Sequence, residues 1–327
     1  MNWFELLTGV SENPGEVQAH LAVNGNELKS LVNGKTWTFG ELEIPSLAEL
    51  RERVRASGWE AGNLSLREVV ANVQELHTDQ ANAGALFQVA SQFNLLEMVS
   101  PGVTPEEGVG IYENDHTQGP ACAIAAGAGT IYRNYFAPLN GQAGQSVKNQ
   151  IDCLADVGAA LGNSQNQLWQ MRNGYALASS SGLGEISQRL RTASESQIDE
   201  LRQKLRIGIQ WNTQVTLADR GHLVSQAYCS ALPVAYTQHP AERWEEFARL
   251  ILEAAYEATI CTGIINSLKS GNKTVFLTLL GGGAFGNRMD WIVEAMRRSF
   301  DLYRHADLDV AIVSYGTSNS RIRELVQ

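Results

Sequence analysis

The chain has 327 residues, of which 44% are hydrophobic and 18% charged, with a formal net charge of −10. That length buries a full core, and the acidic balance excludes a basic footprint for a nucleic acid backbone. No stretch approaches the roughly 20 apolar residues of a membrane-spanning helix, so no membrane partner is expected. Cys122, Cys153, Cys229 and Cys261 lie far apart with no C-x-x-C spacing. They read as small buried hydrophobes of a reducing compartment, not zinc ligands. No His/Asp/Glu cluster has ligand spacing, and neither a metal nor a cofactor is expected. The opening MNWFELLTGVSENPGE lacks a basic n-region and a long apolar run, which predicts a cytoplasmic location.

In chain order, residues 1 to about 65 read as an accessory region. Val17–Val23, Glu27–Val32 and Thr36–Leu42 are short segments split by Asn24-Gly25 and Asn33-Gly34, both hairpin signals. Ser46 caps a short helix over SLAELRERVRA, and a second helix is predicted from Leu64 to His77. Ala85–Met98 is a buried strand that opens the main domain, with Gln92 and Asn94 embedded in it. Asn94 either caps a turn or holds a ligand at the strand's C-terminal end, where open α/β sheets bind ligands.

Residues 100–130 show little periodicity, and a run of that length inside a domain is usually functional. It holds Glu106, Glu107, Asp115, His116, Thr117 and Gln118 ahead of Gly119-Pro120. Proline suits a first helical turn, and the small residues after it permit close backbone approach. His116 beside Asp115 is either a plain loop histidine or a general acid–base group. Glu106 and Glu107 read equally as solvated helix-cap carboxylates.

A helix after residue 140, an aromatic stretch at 166–177 and an amphipathic helix at 186–205 follow. Strands are predicted at 205–217 and 224–235, then a long helix at 240–267. Val275–Leu280 is a further strand, and Gly281-Gly282-Gly283-Ala284-Phe285-Gly286-Asn287 follows it. A helix with apolar Trp291, Ile292, Ala295, Met296 and Phe300 comes next, then the last strand, Leu308–Tyr315. Alternating strand and helix indicates an α/β fold with a mostly parallel or mixed sheet and helices on its faces.

Strand, glycine loop and helix start together make a phosphate cradle: glycines turn N–H groups toward a ligand, and the helix start adds free N–H groups and a positive dipole end. A plain tight turn is the bland alternative. A P-loop fails, because Gly286 is followed by Asn287 and Arg288 and not by Lys-Ser/Thr. A Rossmann dinucleotide site is disfavoured, because the next strand ends at Tyr315 without the acidic residue it needs.

The order of these parts, and Gly281–Asn287 above all, resembles a macrodomain, closest to the poly(ADP-ribose) glycohydrolase-like branch with its Gly-x-Gly-Ala-Phe-Gly loop. The resemblance spans roughly 80–320. It implies a three-layer α/β/α macrodomain-like mixed sheet with an N-terminal accessory region, divided as 1–79 and 80–327. It also implies that Gly281, Gly282, Gly283, Ala284, Phe285, Gly286 and Asn287 hold the phosphates of ADP-ribose. Asn94 would lie near the distal ribose, and Tyr315 would flank the adenosine or the ribose. Between 100 and 130 the chain departs from that branch: it has no Gly-Gly-Gly and no tandem Glu in the same context, since Glu106-Glu107 precede Gly108.

The expected partner is ADP-ribose or an ADP-ribosylated substrate, and the expected reaction hydrolysis of an ADP-ribosyl linkage. Asp115, His116 and Glu107 are the acid–base candidates, with Asn94, Gln118 and Gly119 as ligand-binding residues beside the loop. The alternative is a module that binds ADP-ribose or a nucleotide signal without turning it over.

Overall fold

The computed structural model describes residues 1–327. Seven strands form the main sheet: β1 (Glu41–Glu43), β2 (Ser65–Val70), β3 (Leu86–Ala90), β4 (Gly208–Gln214), β5 (Leu223–Cys229), β6 (Thr274–Leu277) and β7 (Asp309–Ser314). Their spatial order is β1-β4-β5-β3-β6-β7-β2. The β1–β4 and β4–β5 pairs are antiparallel, while every pair from β5 across to β2 is parallel. The expected mixed sheet is therefore present, and its parallel strands all end on one edge.

Alternation along the strands shows why helices cover both faces. The helices that matter are α1 (Leu47–Ala56), α2 (Val73–Thr78), α3 (Gln118–Ala125), α4 (Gly127–Tyr135), α5 (Glu245–Ser270) and α6 (Met289–Leu302). On β3, Phe87 stacks on His77 of α2, ring centroids 3.7 Å apart. Its neighbour Gln88 points the other way and donates through Nε2 to Thr259 of α5 at 2.9 Å. On β5, Gln226 donates to the Cys122 carbonyl in α3 at 3.0 Å, whereas the Cys229 thiol lies 3.4 Å from Thr259. Successive side chains leave opposite faces of a sheet, so these pairs define three layers, α/β/α. Helix α5 is buried along most of its length. It is fastened to α1 and α6 by Arg51 and Arg298, which both pair with the buried Glu257.

Three expectations change. The segment 64–77 is strand β2 followed by the short helix α2, because SLREVV is β-branched and extended before Asn72 caps the next turn. With β1 and β2 inside the main sheet, the boundary at residue 79 does not divide the fold; the separate part is the three-stranded antiparallel sheet of residues 21–38 with its flanking helices. The predicted helix 186–205 is two helices, Ser180–Thr192 and Glu195–Arg202, because Ser194 starts the second with a capping box. The predicted hairpin turn at Asn24-Gly25 is present, with Asn24 opposite Glu27.

Candidate functional site

A cleft of about 660 Å³ lies at the C-terminal ends of β3, β6 and β7, the edge where parallel α/β sheets bind ligands. Its size falls in the usual range for small-molecule sites. Glu97, Glu113 and Asp115 line it together with His116, but no Lys or Arg does.

One wall is the glycine loop. Gly281 and Gly286 both take φ of 72°, a left-handed conformation that favours glycine. The loop is tied by bonds from Asn287 N–H to the Gly281 carbonyl at 2.9 Å and from Gly286 N–H to the Gly283 carbonyl at 3.0 Å. Asn287 Nδ2 reaches the Leu232 carbonyl at 2.8 Å. The N–H groups of Gly281, Gly283, Ala284 and Phe285 are left without an intramolecular partner, and all four residues line the cleft. Gly282, Gly286 and the buried Asn287 do not line it. The loop is thus divided between four positions that turn free N–H groups to the cleft and three that shape it.

The facing wall is the start of α3. It has no side-chain cap, and the N–H groups of Gln118 and Gly119 have no partner. Gly119 is required here: a Cβ would fall on the Ala90 carbonyl oxygen and lie 3.2 Å from Glu97 Cγ. The Gln118 side chain is not free for a ligand. It extends the edge of β3, accepting from Ala90 N–H at 2.9 Å and donating to the Gln88 carbonyl at 2.8 Å. Just before α3, Asp115 Oδ1 accepts from Thr117 N–H at 2.9 Å, while His116 is exposed.

Beneath this wall sits Glu97, buried and bordering the cleft. Burial pushes its carboxyl up to about 7, against the pull of Arg133 and a hydrogen bond from Tyr112. Its Oε1 lies 3.5 Å from Arg133 Nη2, and Oε2 has no partner. Arg133 is itself fully buried and donates from Nε to the Leu95 carbonyl at 3.1 Å and from Nη1 to the Tyr228 hydroxyl. Tyr228 in turn donates to Gln226 Oε1, and Gln226 Nε2 lies 3.0 Å from His77 Nε2. Burial lowers His77 to about 4, so its ring is neutral at pH 7. With Nδ1 2.8 Å from the Val73 carbonyl, the proton belongs on Nδ1, and Nε2 accepts from Gln226.

The two ends of the cleft differ. At one, Tyr175, Tyr236 and Phe285 meet with ring centroids 5.0, 5.3 and 5.4 Å apart. The Tyr175 hydroxyl donates to the Met98 carbonyl at 2.6 Å. At the other, Val73, Ile124 and Val313 form an apolar floor beside Tyr315, which is 81% exposed.

Of the residues expected from sequence, Asp115, His116, Gln118, Gly119, Gly281, Gly283, Ala284, Phe285 and Tyr315 share this cleft. Asn94 does not. It is fully buried, with Nδ2 on Gln150 at 2.9 Å and Oδ1 accepting from Leu96 N–H at 3.1 Å. It shapes the turn after β3, which ends at Ala90 and not near Asn94. Glu107 is also outside: it ends a short 3₁₀ turn, exposed and away from the cleft. Sequence reasoning missed Glu97, Glu113, Tyr175 and Tyr236. Glu97 is the one charged residue in an apolar run, a signal that was available; the two tyrosines are brought in by a distant hairpin and turn.

No family model and no curated protein sequence matches the chain. Among solved structures, it is similar to poly(ADP-ribose) glycohydrolase from Deinococcus radiodurans in complex with ADP-ribose, at 9% identity and a TM-score of 0.47, over 87% of this chain and 90% of that one. It is similar to poly(ADP-ribose) glycohydrolase from Thermomonospora curvata at 11% identity and a TM-score of 0.46, over 95% and 93% of the two chains.

Proposed function

We propose that this is a macrodomain-like protein whose cleft binds ADP-ribose, or a related nucleotide diphosphate sugar, and hydrolyses an ADP-ribosyl linkage. One observation carries the reading: two sets of unpartnered backbone N–H groups, at Gly281, Gly283, Ala284 and Phe285 and at Gln118 and Gly119, line opposite sides of one cleft. Backbone donors and a helix start hold a diphosphate without a cationic side chain. The apolar end beside Tyr315 receives the base, and the aromatic end receives the distal ribose. Hydrolysis develops positive charge at the anomeric carbon. Asp115, half-buried with one carboxylate oxygen free, orients the attacking water, and His116 handles the leaving group's proton. Glu107 takes no part. Four free, buried cysteines fit a cytoplasmic location.

Calorimetric titration with ADP-ribose, with AMP and NAD as comparators, tests the binding step. Micromolar affinity for ADP-ribose that is lost in Gly283→Glu supports it, and no binding to the wild type ends it. Asp115→Ala and His116→Ala then test turnover on ADP-ribosylated substrates; two fully active variants remove both roles. The second reading, binding without turnover, is favoured by His116, which is exposed and has no side-chain hydrogen bond to orient it.

A further inference from the structure

We infer that the cleft is built for an ADP-ribosyl group attached to a cationic guanidinium, the chemistry of an ADP-ribosylated arginine side chain. This rests on the reading above and deepens it by naming the leaving group.

Charge is distributed unevenly along the cleft. The diphosphate position is served by backbone N–H groups alone, and no Lys or Arg lines any part of the cleft. All three lining carboxylates belong to the segments around the aromatic end. Glu97 directly precedes Met98 and Val99, whose carbonyls receive the Tyr175 and Tyr236 hydroxyls at 2.6 and 3.5 Å. Its own N–H donates at 3.0 Å to Tyr112, in the segment that leads to Glu113 and Asp115. Asp115 is close enough to help raise the Tyr175 hydroxyl.

Each carboxylate keeps one oxygen unclaimed. Glu113 Oε2 accepts from Trp3 N–H at 3.0 Å, leaving Oε1. Asp115 Oδ1 is used by Thr117, leaving Oδ2. Glu97 Oε2 is buried with no partner at all, an independent sign that something else completes this end. A buried, unpaired carboxylate oxygen is costly, and the only cation near it, Arg133, lies behind the cleft at 3.5 Å from the other oxygen.

A neutral leaving group would leave these acids uncompensated beside an anionic diphosphate. A guanidinium suits both the acids and the rings. It is planar, it stacks on aromatic faces, and it presents several N–H donors to carboxylates. The partly exposed rings of Tyr236 and Phe285 supply the stacking surface, and Asp115 and Glu113 supply the acceptors.

The step balances without a further reagent. The bond from the anomeric carbon to the guanidinium nitrogen breaks, and its electron pair stays on nitrogen, giving a neutral guanidine. Water adds its oxygen to the anomeric carbon. Its surplus proton passes from Asp115 by way of His116 to the guanidine, which leaves as guanidinium beside free ADP-ribose.

The test is displacement of a fluorescent ADP-ribose from the full chain, read at short mixing times so that turnover does not intrude. Free ADP-ribose, its agmatine conjugate and its conjugate to a serine peptide are compared. The agmatine conjugate is expected to bind about tenfold more tightly than the serine conjugate. In Glu113→Gln that preference shrinks to about twofold, while free ADP-ribose binds as before. Equal or weaker binding of the agmatine conjugate, with ADP-ribose still bound, overturns this inference alone. Failure of ADP-ribose itself to bind overturns the parent reading and this one with it.

Discussion

The two walls of the cleft are made in opposite ways. The glycine wall is one continuous heptapeptide that offers the cleft backbone N–H groups, while its side chains mainly stay out of the way. The acidic wall is assembled from residues 97–99, 113, 115–119, 175 and 236, and what it offers the cleft is mainly side chains. A backbone site tolerates little change at few positions. A side-chain site is only as good as the contacts that hold its scattered parts.

The largest effect is expected behind the acidic wall. Arg133→Met leaves Glu97 buried without its cation and is predicted to destabilise the fold by about 3–5 kcal/mol. Adding Glu97→Gln recovers most of that loss, read by denaturant unfolding. A double variant no more stable than the single would mean that Arg133 acts through Leu95 and Tyr228, not Glu97.

The glycine wall should respond the other way. Gly283 has open space where a Cβ would go and needs no left-handed backbone. Gly283→Glu is therefore expected to fold normally yet lose about 100-fold in ADP-ribose affinity, because its carboxylate occupies the N–H cradle. Destabilisation with unchanged affinity would reverse the contrast between the walls.

A smaller effect follows from Glu12, whose carboxylate accepts from Val109 and Gly110 N–H at 2.7 and 2.6 Å and from Tyr135 at 3.0 Å. Glu12→Gln is predicted to destabilise by about 1–2 kcal/mol, with the loss concentrated in hydrogen-exchange protection of residues 105–114.

A further effect is a slope with pH. The Glu97 carboxyl is raised from 4.5 to about 7 in the fold. The native state then holds the proton more tightly than the unfolded chain. Its contribution to stability is full below about 4.5 and lost as pH rises to about 7. His77 runs oppositely: lowered from 6.5 to about 4, it weakens the fold as pH falls through that window. Arg133, Tyr112, Cys122 and Tyr228 all face Glu97 electrostatically. Glu97→Gln should remove the loss above pH 4.5 and leave the acid-side loss, measured by unfolding between pH 4 and 8.

How much was legible in the sequence follows the same division. The glycine wall could be read because a strand, three glycines and an amphipathic helix are adjacent in the chain. The alternation of strand and helix gave the layer arrangement for the same reason. The 64–77 segment failed because its apolar spacing suits both periods until Asn72 interrupts it. Asn94 is suggested by an expected strand end and by the resemblance, and Glu107 by its place in the 100–130 run, but an Asn that satisfies its own turn is hidden from a ligand. The aromatic end could not be read: Tyr175 and Phe285 are far apart in sequence, and only the folded chain puts their rings 5.3 Å apart.

The first residues of the chain acquire a meaning from their contacts. Trp3 donates through Nε1 to the Val109 carbonyl at 3.0 Å and through its backbone N–H to Glu113. The Asn2 side chain and Glu12 pack against Gly110. The outer brace of the acidic wall is therefore encoded about a hundred residues upstream of the wall. Loss of the Trp3 and Glu12 contacts would loosen the segment 109–113 while leaving the glycine loop, which they do not touch, in place.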